Sequence, residues 1–418
     1  MVKRIRPKLL GISALVLVMG AAGCQFGPSA LTVGSAHYSD AVRIATSEQL
    51  LVNLVRLRYR DLSIFLGVSN ISTQFQFNSS AGIDGSIVEN VNAGKAKTPD
   101  TLGLSGSVAY SEKPTITFSI LGGEAFQKRM LSPLKVGAIS LLAESGWRAD
   151  RVLRLTVEEL NGMKNAPGAS GPTPSRTPAY RDFLEFTELL RELHEDGLIN
   201  FEYETREKSI SSPLPAAQVK GADVVTAAKV GIEFQATDDG QHLGLVARKR
   251  VLVMRFAPQD TEPPKVARFR ELARLKPGQM RFDIVALEHS EMDPFKPQQR
   301  VGDIAVDTRS LMGVLYYLAN GVKPPPAHLE AGLVTTTVDA LNHPFDWSNV
   351  LDGLFQVHSS VRRPSHAAVA VRHRGYWFYI LDSDESSKST FTLLSQLFAL
   401  QASDVDEVKP LLTLPVGN

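Results

Sequence analysis

Polar and apolar residues recur along this chain with two periods, one helical and one alternating. From Ser39 to Arg60 the apolar positions Ile44, Leu51, Leu54 and Val55, with Leu50 and Leu57 beside them, follow helical spacing, and Thr46 with Gln49 makes a capping box if the helix starts late. Ile71, Thr73, Phe75 and Phe77 then alternate with Ser72, Gln74 and Gln76, the period of a half-buried strand. A Gly/Asn/Ser-rich stretch over residues 78–100 reads as a long loop. The strongest alternation follows, with Leu102, Leu104, Gly106, Val108 and Tyr110, then Ile116, Phe118 and Ile120, on one face, and Gly, Ala, Ser and Thr on the other. A turn at Ser111–Pro114 folds this segment into an antiparallel hairpin with one apolar and one polar face. Two placements are open for it. The apolar face can cover a soluble core, or the strands can insert in a membrane as one subunit's share of an oligomeric barrel, since three strands per chain cannot close a barrel alone.

Further along, Ser132 and Pro133 open a helix with Leu134, Ala138, Leu141 and Leu142 inward, and Val152–Val157 reads as a short strand. Prolines and glycines from Pro167 to Pro178 exclude regular structure and mark residues 165–177 as a linker. Thr177 and Pro178 then start a helix with Tyr180, Phe183, Leu184, Leu190 and Leu193 on one face. Asn200–Thr205 reads as a strand, Ala216–Lys229 as a helix, and residues 231–236 and 242–248 as a hairpin across Asp239 and Gly240, continued by Val251–Phe256. The last part holds a helix over Thr308–Asn320, strands at Phe355–His358, Ala367–Arg372 and Tyr376–Leu381, and a helix over Asp384–Gln401 that is apolar nearly all round.

The first residues belong to a different pattern. Lys3, Arg4, Arg6 and Lys8 precede an uninterrupted apolar or small run, Leu9–Met19, which has the length of a signal-peptide h-region and falls well short of the roughly 20 residues that span a bilayer. Ala21, Ala22 and Gly23 then lead into Cys24. This arrangement resembles the lipobox of bacterial lipoproteins, with Ala21 standing where that motif most often has Leu, and the chain looks like one of a family of uncharacterised Gram-negative lipoproteins. The resemblance implies cleavage before Cys24, whose sulfur carries a diacylglyceryl group, and a total of three palmitate-like chains. Each buried CH₂ contributes about 0.8 kcal/mol, so more than one chain gives stable anchoring. Gln25, in place of the Asp that retains such proteins at the inner membrane, implies the outer membrane, facing the periplasm.

The expected fold class is therefore α+β, with mixed helices and antiparallel hairpins in two or three small domains after a signal peptide. Residues 1–23 form the signal peptide, 24–164 an N-terminal α+β region, 165–177 the linker, 178–257 an α+β domain and 265–418 a C-terminal α+β region.

Composition narrows the chemistry. The 418 residues carry 45 Lys+Arg against 44 Asp+Glu, which argues against nucleic acid as a partner, and loss of the basic leader leaves the mature chain slightly acidic. The single Cys excludes an intramolecular disulfide and cysteine-rich metal or iron–sulfur sites. No Gly-x-Ser-x-Gly elbow, zinc helix, Walker loop or dinucleotide fingerprint occurs, so neither an enzyme nor a cofactor is expected.

The most chemically loaded segment holds Arg362, Arg363, His366, Arg372, His373 and Arg374, cations that could together bind a carboxylate, phosphate or sugar acid, with Asp382 and Asp384 close enough in sequence for acid–base work. The plainer reading puts Arg372, His373 and Arg374 around a hairpin turn, Arg362 and Arg363 in a loop, and Asp384 at a helix cap. Arg248, Lys249, Arg250, Arg268, Arg270 and Arg274 form a second basic concentration, either a solvated face or a contact for anionic envelope polymers. The expected function is a lipid-anchored, non-enzymatic interaction or assembly component of the cell envelope, held by acylated Cys24 and joined to an envelope protein or to its own copies. The alternatives are a periplasmic anion or saccharide binder or hydrolase using the His358–Asp384 region, and a subunit of an oligomeric outer-membrane channel.

Overall fold

A computed structural model describes residues 26–85, 102–229, 231–237, 240–259, 261–287, 302–402 and 412–415. The fold is α+β, and it divides into two compact units, residues 1–43, 64–123 and 405–418 in one and residues 44–63 and 124–404 in the other. Helix α1, Phe26–Arg58, begins in the first and ends in the second. It runs straight through Thr46, so the capping box expected there is not a helix start.

The smaller unit is a ribbon of two long strands, β1 (Phe65–Gly85) and β2 (Leu102–Leu121). They pair antiparallel from Phe65↔Leu121 to Gly85↔Leu102, with one bulge between Val68 and Asn70. A short C-terminal strand, Leu412–Pro415, pairs with β2 from Leu412↔Phe118 to Pro415↔Thr115. The expected turn at Ser111–Pro114 does not form. These residues continue β2 and pair with Gln76, Phe75, Gln74 and Thr73, so the hairpin lies between β1 and β2. Proline is tolerated in a strand near an unpaired edge, and Pro114 falls just where the C-terminal strand stops. Residues 78–85, expected to open a loop, extend β1 instead; residues 86–101 lie outside the described residues.

The larger unit opens with α2 (Glu124–Leu131), α3 (Val136–Glu144) and α4 (Ala149–Thr156), followed by β3 (Val157–Leu160) and β4 (Met163–Lys164). Residues 152–156, expected as a strand, are helical: Val152, Leu155 and Thr156 are buried at helical spacing, and the β-branched residues that suggested a strand serve as core contacts. Next come α5 (Arg181–Glu195), β5 (Ile199–Ser209), β6 (Leu214–Pro215), α6 (Gly221–Lys229), β7 (Ile232–Ala236) and β8 (His242–Phe256). Then follow α7 (Pro264–Leu272), β9 (Arg281–Ala286), β10 (Ile304–Thr308), α8 (Leu311–Ala319), α9 (Pro326–Glu330) and α10 (Ser348–Leu351). Strands β11 (His358–Ser360), β12 (Ala367–His373) and β13 (Tyr376–Leu381) precede the last helix, α11 (Glu385–Ala402).

Eight strands form the main sheet in the order β4-β3-β10-β9-β8-β5, with β6 and β7 also on β8; β9 and β10 are parallel and the other pairs antiparallel. One face packs on α5 and α7 through Phe183, Phe186, Leu190, Phe256, Phe269 and Phe282. The residues that β5, β8 and β9 turn away from this core carry ion pairs instead. Arg206 pairs with Asp283, and Arg255 and Arg281 both reach Glu204, holding its carboxyl down to about 2. Alternation along each strand accounts for both faces. The second sheet, β11-β13-β12, is the expected C-terminal hairpin with the strand expected at Phe355–His358 shifted to His358–Ser360.

Residues 165–177 lie inside this unit and join no separate domains. Strands before them (β3, β4) and after them (β5, β8, β9, β10) share one sheet, and the stretch is pinned by Ala166 N to Ala179 O at 2.8 Å, Val338 N to Ser175 O at 3.0 Å and Thr337 Oγ1 to Pro174 O at 2.6 Å. Prolines stop regular structure without making a linker when such bonds tie their carbonyls down. The helices around it also start later than their sequence signals: α5 begins at Arg181, and Pro133 bridges Ser310 ahead of α3. Helix α11 buries Phe391, Leu393, Leu394 and Leu397 but leaves Leu400 exposed.

Candidate functional site

The six cations that could have formed one anion site all lie on the β11-β13-β12 sheet or its loops. Arg362 and Arg363 follow β11, whose last residue, Ser360, pairs with Trp377, and the exposed Arg363 guanidinium lies 5.3 Å from the Trp377 ring centre. Arg372 is the partner of the same Trp377 in β12, and His373 and Arg374 follow it at the far end of that strand. His366 lies at the opposite end of β12, where its carbonyl accepts from Asp382 N at 3.2 Å. Asp384 serves as the cap of α11, accepting from Ser387 N at 3.0 Å and from Ser387 Oγ at 2.6 Å. Asp382 pairs with Lys388 at 3.1 Å. Cys24 lies outside the described residues.

The far end of β12 does organise a polar cluster, with partners more than 200 residues away in sequence. The turn between β12 and β13 places Arg374 at φ 46°. Arg374 then reaches Asp61 at 2.7 and 3.3 Å, and His373 Nε2 meets the same carboxylate at 3.0 Å. Burial raises the Asp61 carboxyl, but the hydrogen bonds and charge of Arg374, with the bond from His373, outweigh it and hold the group below the usual carboxylate range. Burial lowers His373 against the pull of Asp61, so the neutral ring keeps its proton on Nε2 and donates it. Beside this pair, Tyr59 is packed edge-on to the rings of His328, His373 and Phe378, and its hydroxyl lies 2.7 Å from His328 Nδ1. Burial pushes that hydroxyl up to about 12, so it stays protonated, and it donates to Nδ1 when the His328 proton is on Nε2. The ring of Tyr376 closes the other side of His328 at 4.9 Å.

Chemically, this is a clamp. Each titratable group has a partner inside the cluster, and together they fasten the residues after α1 to α9 and to the β12–β13 hairpin. Asp61, Tyr59 and His328 were not foreseeable as its members, because no local spacing links them to residue 373.

Its pH response follows from the signs of the shifts. His328, His358 and His373 are all lowered from the ordinary value of 6.5, burial being the largest cause for each. Below 6.5 the unfolded chain therefore binds protons that the folded chain refuses, so stability present above that pH is lost as pH falls towards the depressed values. The melting temperature of the larger unit should drop between pH 7 and pH 5, and His328→Gln should flatten that slope. A melting temperature that held steady or rose on acidification would contradict this arrangement.

Arg248, Arg268 and Arg270 of the second basic concentration are paired with carboxylates within the fold. Arg248 pairs with Glu207 and Glu233, and Arg268 with Glu185 and Glu271. Arg250 lies 4.2 Å from the Tyr203 ring centre. Arg270 is buried, donates to Gln279 O at 2.7 Å and stacks 3.9 Å above Phe256.

Among the cavities of the larger unit, two have contrasting walls. One, of about 500 Å³, has mixed walls including Arg58, Lys323, Asp346, Trp347 and Asp352. Arg58 is occupied there by Thr173 Oγ1 at 3.1 Å and Thr335 O at 3.0 Å. The other, of about 450 Å³, lies between α3, α4 and α5 and the main sheet and is almost wholly apolar. Among the described residues no cluster of three or more His, Cys, Asp or Glu could hold a metal ion, and no helix is long and apolar enough to cross a membrane. No family model matches the chain, and neither the curated proteins nor the solved structures include one similar to it.

Proposed function

We propose that this protein is a lipid-anchored, non-enzymatic envelope component, held at the periplasmic side of the outer membrane through acylated Cys24, that assembles with its own copies into a ring whose β1–β2 ribbons together form a membrane-spanning barrel. The observation that carries this reading is the register of the ribbon, which runs without a shift from Asn70↔Thr117 to Gly85↔Leu102. It pairs Ile71 with Ile116, Phe77 with Tyr110 and Ile83 with Leu104, and it pairs Ser72 with Thr115, Ser80 with Ser107 and Gly82 with Ser105. Phe75 falls opposite Glu112 and Ser79 opposite Val108, while Ile71, Phe77 and Ile83 fall opposite apolar partners and Ser72, Ser80 and Gly82 opposite small or polar ones. This is the alternation of an outer-membrane barrel strand.

Length agrees. From Leu102 to Tyr110 the alternation carries no charge, which matches the about 9–11 residues a tilted strand needs to cross a bilayer. Glu112 and Lys113 follow, with the aromatic partners Phe77 and Tyr110 at the boundary, where barrels carry aromatic girdles.

The edges supply the partner. Among the described residues the outer edge of β1 meets no strand, and β2 is covered only from Thr115 to Phe118. Open edges of this length invite another strand, and a neighbouring copy's β1 beside β2 keeps the antiparallel order all the way round a closed ring. The lipid on Cys24 would hold each copy at the membrane while the ring closes.

Detergent-extracted protein should appear as rings in electron micrographs and should raise stepwise conductance in planar bilayers. Cys24→Ala should lose lipid labelling and membrane retention. Monomers only, with no conductance at any protein concentration, would refute the assembly reading.

A further inference from the structure

The apolar cavity of about 450 Å³ is an anomaly for a folded core, where voids much larger than a water are few. Its walls are the inner faces of α3, α4 and α5, with Ile139, Leu153 and Phe186 among them, and the sheet residues Phe201, Leu252 and Ile284. Leu153, Phe201 and Ile284 belong to the rim of the main core cluster and are only partly buried, since no side chain among the described residues fills the space they face. The volume lies within the about 300–1,000 Å³ of small-molecule sites.

Water is a poor occupant. At about 30 Å³ each, about 15 waters would fit, and each needs two or more polar partners. The wall offers few. Ser140 Oγ and Tyr203 Oη are bonded to each other, and Ser140 also reaches Val136 O at 3.0 Å. His194 Nδ1 is engaged with Ile199 O at 3.2 Å.

The cations at the mouth are already paired: Arg148 is held by Asp150 at 2.7 Å, and Arg191 is shared by Glu188 and Glu195. Glu144 on the same wall adds a negative charge, so no cation is left to draw an anionic head inside.

We propose that this cavity binds a single aliphatic chain, inserted between α3–α5 and the sheet, with its polar end left at the mouth in water. A free fatty acid and a lysophospholipid share this chemistry. The site belongs to the larger unit alone and does not depend on ring assembly.

The probe is cis-parinaric acid, titrated into detergent-free mature protein lacking its lipid (Cys24→Ser), with palmitate and lysophosphatidylcholine as competitors. Saturable one-to-one binding is expected, weakened at least tenfold by Ala143→Phe, which places a ring in the cavity. Leu153→Trp serves as the second filling variant, and melting by circular dichroism shows that each variant is folded. Displacement by palmitate alone identifies a free fatty acid, and displacement by the lysolipid a membrane-derived ligand. No saturable uptake, or equal uptake by folded wild-type and filled variants, overturns the proposal.

Discussion

Replacing Arg309 with leucine should remove about 4 kcal/mol or more from the larger unit, a large part of the roughly 5–15 kcal/mol that holds an ordinary domain together. Arg309 is completely buried, and no carboxylate pairs with it among its described bonds. Its guanidinium instead donates to the carbonyls of Arg154, Leu155, Val157 and Asn165 and to Ser170 Oγ, and it lies 4.0 Å from the Tyr317 ring centre. Several of these carbonyls close the C-terminal end of α4, where unsatisfied acceptors and the helix dipole both favour a cation. Its own backbone joins the same junction, with Arg309 N bonded to Thr156 O at 2.8 Å and Leu134 N to Arg309 O at 3.0 Å. Burial drags its pKa down, yet five directed bonds keep the charge. Leucine would strand those carbonyls in a dry interior; lysine would keep the charge but lose the planar fork, and should recover no more than about half the loss. Urea titration followed by circular dichroism reads both. A leucine variant within about 1 kcal/mol of wild type would mean that the carbonyls find other donors, and the account above would fail.

The second large effect is expected in the ribbon, where neighbouring positions should respond oppositely to the same substitution. Leu104→Arg puts a charge among the apolar positions of the uncharged stretch, at about 2–4 kcal/mol for each copy near the bilayer midplane, and a ring multiplies that cost by its number of subunits. Rings and conductance should vanish. Ser105→Arg, one residue along on the polar set, should leave rings intact and change only ion selectivity. Both variants should melt like wild type in the larger unit, since the ribbon is a separate unit. If the two substitutions had equal effects on assembly, the alternation would have no membrane meaning.

Much of the fold was legible wherever one period persisted. The hairpin of β7 and β8, the strands β12 and β13 and the helix α11 come out close to their expected bounds, because local turn signals and alternating burial point the same way. Punctuation misled elsewhere. Pro114 suggested a turn within β2, and the prolines before Pro178 suggested a domain boundary; in both cases long-range pairing overrode a local preference. Among the cations, Arg363 and Arg372 both neighbour Trp377, a relation set by strand pairing that local spacing does not show, while His366 lies at the other end of β12. The clamp and the apolar cavity were not legible at all, since each is assembled from elements far apart along the chain.

That clamp has a kinetic corollary. The bonds from Asp61 to His373 and Arg374 span 312 and 313 residues, and that from Tyr59 to His328 spans 269. The first part of the chain to emerge thus waits for nearly the last before its end of α1 can be fastened. Closing such loops is slow, and the larger unit cannot reach its final topology until β12 and β13 are made. A chain released early, or a ribosome stalled before residue 374, would leave the apolar flank of α1 exposed, with Leu51, Leu54 and Val55 open to holdase chaperones or to aggregation.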